Sequence, residues 1–222
     1  MARYYPVMLD LEHCPCLVVG GGSIAQRKIE GMMQCGADVT MIGPSCTPRL
    51  EAMAAEGSIH WLPCRYRAGM ARGFAFVCAA SDDADVNEQV AIDCRRDNIP
   101  VNVVDNTELS SAIIPAVLRR ADVIVSVSTS GCSPALAAAI RDKIADMIGP
   151  EYGIYNDMLG EIRKYILVEI DDPEKRRYIL RNIVDQRYVD MIKAGYDVTP
   201  ELILDEISFK LERKGRLIDR EL

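Results

Sequence analysis

Cys16-Leu17-Val18-Val19-Gly20-Gly21-Gly22-Ser23-Ile24-Ala25 is the stretch on which the fold turns. A short apolar run of the length of a buried strand enters a glycine turn, and Ile29, Met32 and Met33 then fall at helical spacing across Ala25 to Gln34. Gly20-x-Gly22-x-x-Ala25 between strand and helix is the pattern of a dinucleotide-binding turn. The first glycine permits the tight turn, the second lets backbone approach a pyrophosphate, and the small third residue lets helix and strand pack closely. The phosphates then sit at the helix amino end, where backbone N–H groups point outward and the helix dipole favours anions. Gly20, Gly22, Ser23, Ile24 and Ala25 are therefore the first candidate cofactor contacts; the plain alternative is a glycine turn that binds nothing.

Working outward, short apolar runs alternate with helical patterns. Strands are expected at Val39–Ile42, Ser58–Leu62, Phe74–Ala79, Ile99–Val104 and Asp122–Val127. Helices are expected at Pro48–Glu56, from Asp82-Asp83-Ala84-Asp85 to about Arg96, and from Pro134 to Ile148 with Ser133 as its N-cap. This alternation predicts an α/β fold with a Rossmann-type doubly wound parallel sheet, Asp122–Val127 completing it as a sixth strand. After Gly149-Pro150 the β-branched runs thin out, and Tyr152–Tyr165, Pro173–Ala194 and Pro200–Leu211 show helix-like spacing, predicting a small helical C-terminal domain.

Composition narrows the function. The chain has 222 residues, of which 49% are hydrophobic and 27% charged, and a net charge of −7. This argues for a globular protein without a general basic face for nucleic acid, and for a small-molecule partner. The eight cysteines form no CxxC pair, and Cys14-Pro15-Cys16 lacks the second pair that a structural zinc site needs. They are expected to be reduced core thiols, with no metal held by the protein. No run of about 18 apolar residues and no signal-peptide pattern is present, so no membrane partner and a cytoplasmic location are expected.

The carboxyl ends of parallel strands carry the ligand sites in open α/β sheets. At the end of the second strand stands Gly43-Pro44-Ser45, where an acidic residue would hold the ribose hydroxyls of NAD; no Arg or Lys stands in Ile42–Thr47 to bind a 2′-phosphate, which points to NAD over NADP. The fifth strand ends in Asn102, Asp105 and Asn106. Desolvation at the rim of a buried sheet raises a carboxylate's pKa toward general acid or base work, and a strand-end Asp also simply caps a turn; both readings of Asp105 stand. Ser128, Thr129, Ser130, Gly131 and Ser133 offer hydroxyls and amides for carboxylates or phosphates, or else a flexible connection that ends in a helix cap. Arg119, Arg120 and Arg141 are candidate counter-charges or solvated side chains, and Lys175-Arg176-Arg177 reads as a solvated helix face. His13 and His60 are isolated, with no ligand set beside them.

Beyond the generic fold, an ordered series of motifs covers about residues 5 to 150. It comprises Val18–Lys28 with its glycine turn, Cys35-Gly36-Ala37-Asp38-Val39-Thr40, Ala79-Ala80-Ser81-Asp82-Asp83 with Val86-Asn87, Val101-Asn102-Val103-Val104-Asp105, Ile114-Pro115-Ala116 and Ser128-Thr129-Ser130-Gly131-Cys132-Ser133-Pro134. Together these resemble the precorrin-2 dehydrogenase/sirohydrochlorin ferrochelatase family of sirohaem synthesis, of the sirohaem synthase N-terminal type. The resemblance implies an NAD-binding domain over residues 1–112, a dimerisation region over 113–150, a helical domain over 151–222, and a homodimer. It adds Gly43, Pro44, Ser81 and Asp82 to the cofactor contacts and makes the neutral end of the second strand a family trait.

The resemblance also implies a reaction. Hydride passes from precorrin-2 to NAD, giving sirohydrochlorin, with Asp105 as the general base; some relatives then insert Fe²⁺ or Co²⁺, which would be a transient metal partner. The substrate has eight carboxylates, which points to Asn102, the 128–133 segment, Arg119 and Arg141 as its binders. The length of the chain leaves no room for the methyltransferase of the fused forms. A non-catalytic NAD-sensing module and a chelatase-only protein are the competing functions. An unchanged Asp105 variant would mark the first, and metal insertion without NAD the second.

Overall fold

The computed structural model describes residues 4–207. Two compact units are present. One runs through Ile114 and takes in Ser128–Ser133; the other comprises Pro115–Val127 and the chain from Pro134 onward.

In the first unit, β1 (Pro15–Val19), β2 (Asp38–Ile42), β3 (His60–Leu62), β4 (Phe76–Ala79) and β5 (Val101–Val103) form a parallel sheet in the order β3-β2-β1-β4-β5. Helices α1 (Ser23–Met33), α2 (Pro48–Ala55) and α3 (Ala84–Arg96) cover it. Successive strand residues point to opposite faces, so a strand buried on both sides reads as an unbroken apolar run. Cys16 and Val18 of β1 join α1 and α2 residues Ile29, Met32 and Leu50 on one face. Leu17 and Val19 join Val90, Ala91 and Cys94 of α3 on the other. Asp83 caps α3 as its sequence suggests, accepting from the N–H groups of Asp85 (3.1 Å) and Val86 (3.4 Å).

The expected sixth strand is not in this sheet. Its run forms β7 (Val123–Val127), which pairs antiparallel with β6 (Ala116–Arg120) in the second unit. The outer edge of β5 is occupied instead by the chain returning on itself. Val101 N–H donates to Ser111 Oγ (2.9 Å) and Val103 N–H to Ser110 Oγ (2.9 Å), while the N–H groups of Ser111 and Ala112 donate to the Val101 carbonyl. With its donors satisfied there, β5 offers no place for a sixth strand.

In the second unit α4 (Pro134–Met147) packs on the β6–β7 hairpin, and α5 (Glu151–Glu169), α6 (Pro173–Asn182) and α7 (Gln186–Lys193) build a separate core. The helix expected over Pro173–Ala194 is two helices, because Asp185 caps a new one by accepting from Arg187 N–H (3.0 Å). A further helical stretch covers residues 200–207; the part of the Pro200–Leu211 expectation past 207 lies outside the described residues. Tyr155, Ile162, Ile166, Ile179, Tyr188 and Ile203 fill this core. The Tyr188 hydroxyl donates to Glu206 Oε2 (2.9 Å). Among the described residues no helix is long and apolar enough to cross a membrane.

All eight cysteines are free. Cys16, Cys78 and Cys94 are buried as expected, and burial pushes the thiols of Cys16 and Cys78 up to about 11 and that of Cys94 to about 12. Cys132 departs from the expectation: it is exposed in the 128–133 segment.

Candidate functional site

The site is built at the carboxyl edge of the five-stranded sheet, from the glycine turn outward. Gly20 has φ +126°, a conformation closed to side chains, and a Cβ there would lie 2.2 Å from the Ala80 carbonyl oxygen. A Cβ on Gly21 would lie 2.1 Å from the Ser45 carbonyl oxygen. Gly22 differs: nothing stands within 4 Å of its Cβ position, so a side chain there would occupy open space at the start of α1. Gly22 is the N-cap of α1 without any side-chain hydrogen bond, and the first turn holds no acidic residue. The first N–H groups of α1 are thus left for an anion in the space that a Cβ at Gly22 would enter.

Two clefts open from this turn. The first, about 460 Å³, is lined by Gly20–Gly22, Gly43–Thr47, Cys64–Tyr66 and Ser81–Asp83 among others. The second, about 410 Å³, is lined by Gly22, Ser23, Ile24, Ala80, Ser81, Asp82, Val104 and Asp105. The residues expected to hold a cofactor are brought together, with Ala25 buried behind them in the core. Asn87 clamps the segment after β4: Ser81 N–H donates to Asn87 Oδ1 (3.1 Å) and Asn87 Nδ2 donates to the Ser81 carbonyl (2.8 Å). At the end of β2, Trp61 Nε1 donates to the Gly43 carbonyl (2.9 Å), and Thr47 caps α2 by accepting from Leu50 N–H (3.3 Å). Such a cradle, with neutral walls at the β2 end and open helix donors, fits an extended dinucleotide.

Asp105 lines the second cleft together with the glycine-turn residues Gly22, Ser23 and Ile24. It follows β5 in a left-handed conformation, φ +58°, which Asp tolerates better than most residues. The turn is held by Asn106, whose Oδ1 accepts from the N–H groups of Glu108 (3.1 Å) and Leu109 (3.0 Å). The carboxylate is exposed, so the desolvation expected from its place after an apolar strand is not present in this chain alone.

The remaining candidates divide. Asn102 is buried, donates to the Ala112 carbonyl (3.1 Å) and faces Cys78 Sγ at 3.9 Å; it lines neither cleft. Residues 128–133 form a tied loop, in which Thr129 Oγ1 accepts from Ser133 N–H (3.0 Å) and Ser128 Oγ from Ser130 N–H (3.1 Å). Gly131, at φ +83°, sits so close to Thr107 that a Cβ would lie 2.2 Å from its methyl carbon. The loop therefore packs beside the turn that carries Asp105. Arg119, Arg120 and Arg141 belong to the second unit. Arg120 Nε donates to the Ile148 carbonyl (3.0 Å), and Arg141 pairs with Asp142 at 2.6 Å.

The sequence reading missed Gly21, which the Ser45 backbone demands, and the β3-end residues Cys64, Arg65 and Tyr66. Applying the strand-end rule to the third strand would have found the latter.

Residues 7–116 match the family described as "Putative NAD(P)-binding", and residues 125–147 the family "Sirohaem biosynthesis protein central". The siroheme synthase of Methylococcus capsulatus is 34% identical over 213 residues, covering 96% of this chain and 45% of that protein. The siroheme synthase of Chromobacterium violaceum is 33% identical over 215 residues, covering 97% and 44%. The chain thus spans less than half the length of the curated relatives it matches. Among solved structures, "SirC, precorrin-2 dehydrogenase" superposes with a TM-score of 0.78 at 28% identity, covering 92% of this chain and 99% of that one.

Proposed function

The chain belongs to the precorrin-2 dehydrogenase and sirohaem synthase family, and from that premise we propose that it oxidises precorrin-2 to sirohydrochlorin with NAD, Asp105 acting as the general base. The observation that carries this reading is the cleft in which Asp105 and Gly22–Ile24 of the glycine turn line one wall system. A bound NAD would supply the hydride acceptor. Oxidation of the macrocycle also releases a proton, and a carboxylate beside the same cleft accepts it. Gly20 and Gly22 would shape the diphosphate cradle, Ser23 and Ile24 would supply α1 donors, and Ser81, Asp82, Gly43 and Pro44 would hold the ribose groups.

The hydroxyls of Ser128, Thr129, Ser130 and Ser133, with the Gly131 backbone, are proposed to take substrate carboxylates, since their loop packs on Thr107 beside Asp105. Arg119 and Arg141 are proposed as counter-charges for the same polyanion. Asn102 supports the strand beneath. A chelatase step would use the same carboxylate to collect pyrrole N–H protons as Fe²⁺ or Co²⁺ enters as substrate. We also propose that the chain works as a homodimer joined through residues 113–150.

Anaerobic turnover of precorrin-2 with NAD tests the reading, followed by addition of Fe²⁺ or Co²⁺. NADH absorbance appears with the wild type and is lost by at least 100-fold in Asp105→Asn, whose dinucleotide affinity stays the same. No NADH from the wild type would overturn the dehydrogenase, and an unaffected Asp105→Asn would overturn the base.

A further inference from the structure

The second cleft carries an electrostatic mismatch. Its lining includes two carboxylates, Asp82 and Asp105, and no cationic side chain. The substrate proposed for it is a macrocycle with eight carboxylates, which needs positive charge within reach. Arg119 and Arg141 belong to the other unit.

Within the first unit, Lys28 of α1 has the right place. It follows Ile24 by four residues, a spacing that puts both on one face of the helix, and Ile24 lines the second cleft. Gly22 and Ser23 line it too, so α1 begins at the cleft. Helical side chains lean toward the amino end, which turns Lys28 toward the same opening. Its depth is marked by Cys78 of β4, where the charge of Lys28 works against the rise that burial imposes on the thiol. Cys78 is the register partner of Asn102 on β5, and their side chains meet at 3.9 Å. Two residues further along each chain, on the same face of the sheet, come Ala80 and Val104, which pack on the same core and line the second cleft. Lys28 thus lies one pleat, about 7 Å, beneath the floor of the cleft. The flexible four-carbon stem of a lysine suits such a reach.

Lys28 is half-buried and forms no ion pair among the described residues. Glu30, the one acidic residue of α1, accepts instead from Gln26 Nε2 (3.1 Å). A half-buried ammonium without a counter-ion has given up part of its hydration with no charge in return, and an incoming carboxylate supplies that charge.

We propose that Lys28 binds a carboxylate of the tetrapyrrole substrate, anchoring the macrocycle over Ala80 and Val104 beside Asp105. The inference rests on the precorrin-2 reading of this cleft. The same ammonium–carboxylate contact is present before and after hydride leaves, so it sets affinity and not the rate of the chemical step.

The test is anaerobic titration of sirohydrochlorin, followed by the absorbance of the macrocycle, beside calorimetry with NAD and steady-state turnover of precorrin-2. Lys28→Met keeps the stem and removes the charge, Lys28→Gln repeats the loss with a polar side chain, and Lys28→Arg keeps the charge. Arg27→Gln, at an exposed position one residue back, is the control for net charge, and thermal melting shows that each variant folds. The expected result is a loss of about tenfold in sirohydrochlorin affinity for Lys28→Met and Lys28→Gln, most of it regained in Lys28→Arg. KM for precorrin-2 rises by the same factor, while kcat stays within about twofold and NAD affinity is unchanged. Wild-type affinity for sirohydrochlorin in both neutral variants overturns the inference and leaves the precorrin-2 reading standing. So does an equal loss in Arg27→Gln, or an equal loss of NAD affinity, which would place the ammonium on the cofactor. A wild type that binds NAD but not sirohydrochlorin overturns both.

Discussion

At the residue scale, the glycines ending β1 answer to different demands. Gly21 is held to glycine by protein backbone: a methyl group 2.1 Å from the Ser45 carbonyl oxygen must push two chain segments apart. Gly21→Ala is expected to cost about 1–3 kcal/mol, read as a fall in melting temperature. Gly22 has open space around its Cβ position, so Gly22→Ala is expected to melt with the wild type and to bind dinucleotide at least tenfold more weakly in calorimetry. An equal melting effect from both substitutions would contradict this division. The glycine spacing was legible in the sequence as a turn, but not which glycine faces ligand and which faces protein. That depends on Ala80 and Ser45, which only the folded sheet edge brings near. Asp105 was legible as a strand-end carboxylate, and its exposure was not, because the chemistry of a run says nothing of how far beyond it the next residue turns out.

At the element scale, the link between α3 and the segment after β3 runs through Asp93. Burial alone would raise its pKa, but hydrogen bonds from Gly69 N–H, Tyr66 and Gln89, with Arg96 beside it, outweigh burial and hold it below its ordinary value of 3.8. A folded pKa below the unfolded one means that this contribution to stability is complete above about pH 3.8 and is lost as pH falls through the folded value. Asp93→Asn is therefore expected to lose about 1–3 kcal/mol at neutral pH, with the gap from wild type closing below about pH 4 in denaturant melts. A gap independent of pH would remove the carboxylate from the account. Strands β1, β2, β4 and β5 were legible because both their faces are buried. β6 was not: Ala116-Val117-Leu118-Arg119-Arg120 buries Leu118 while Val117 and Arg119 are exposed, and no periodicity marks so short a ribbon. β7 was legible as a strand but was assigned the wrong partner, since an apolar run shows that a strand exists and not what it pairs with.

At the scale of the whole molecule, two units carry different surface chemistry. The first holds both clefts. The second leaves Val117, Leu136, Ile140 and Met147 exposed on β6 and α4, within the region proposed to join two copies. Leu136→Lys combined with Ile140→Lys is expected to convert a dimer into a monomer in light scattering, and a wild type that is already monomeric would overturn the proposed assembly. The sheet of the first unit, by contrast, is closed to company. Its β3 margin is three residues long, and the β5 margin is covered by Ser110 and Ser111 hydroxyls. A foreign strand arriving at β5 finds the amides of Val101 and Val103 already engaged by those two serines, so the folded sheet offers that margin no edge-to-edge pairing.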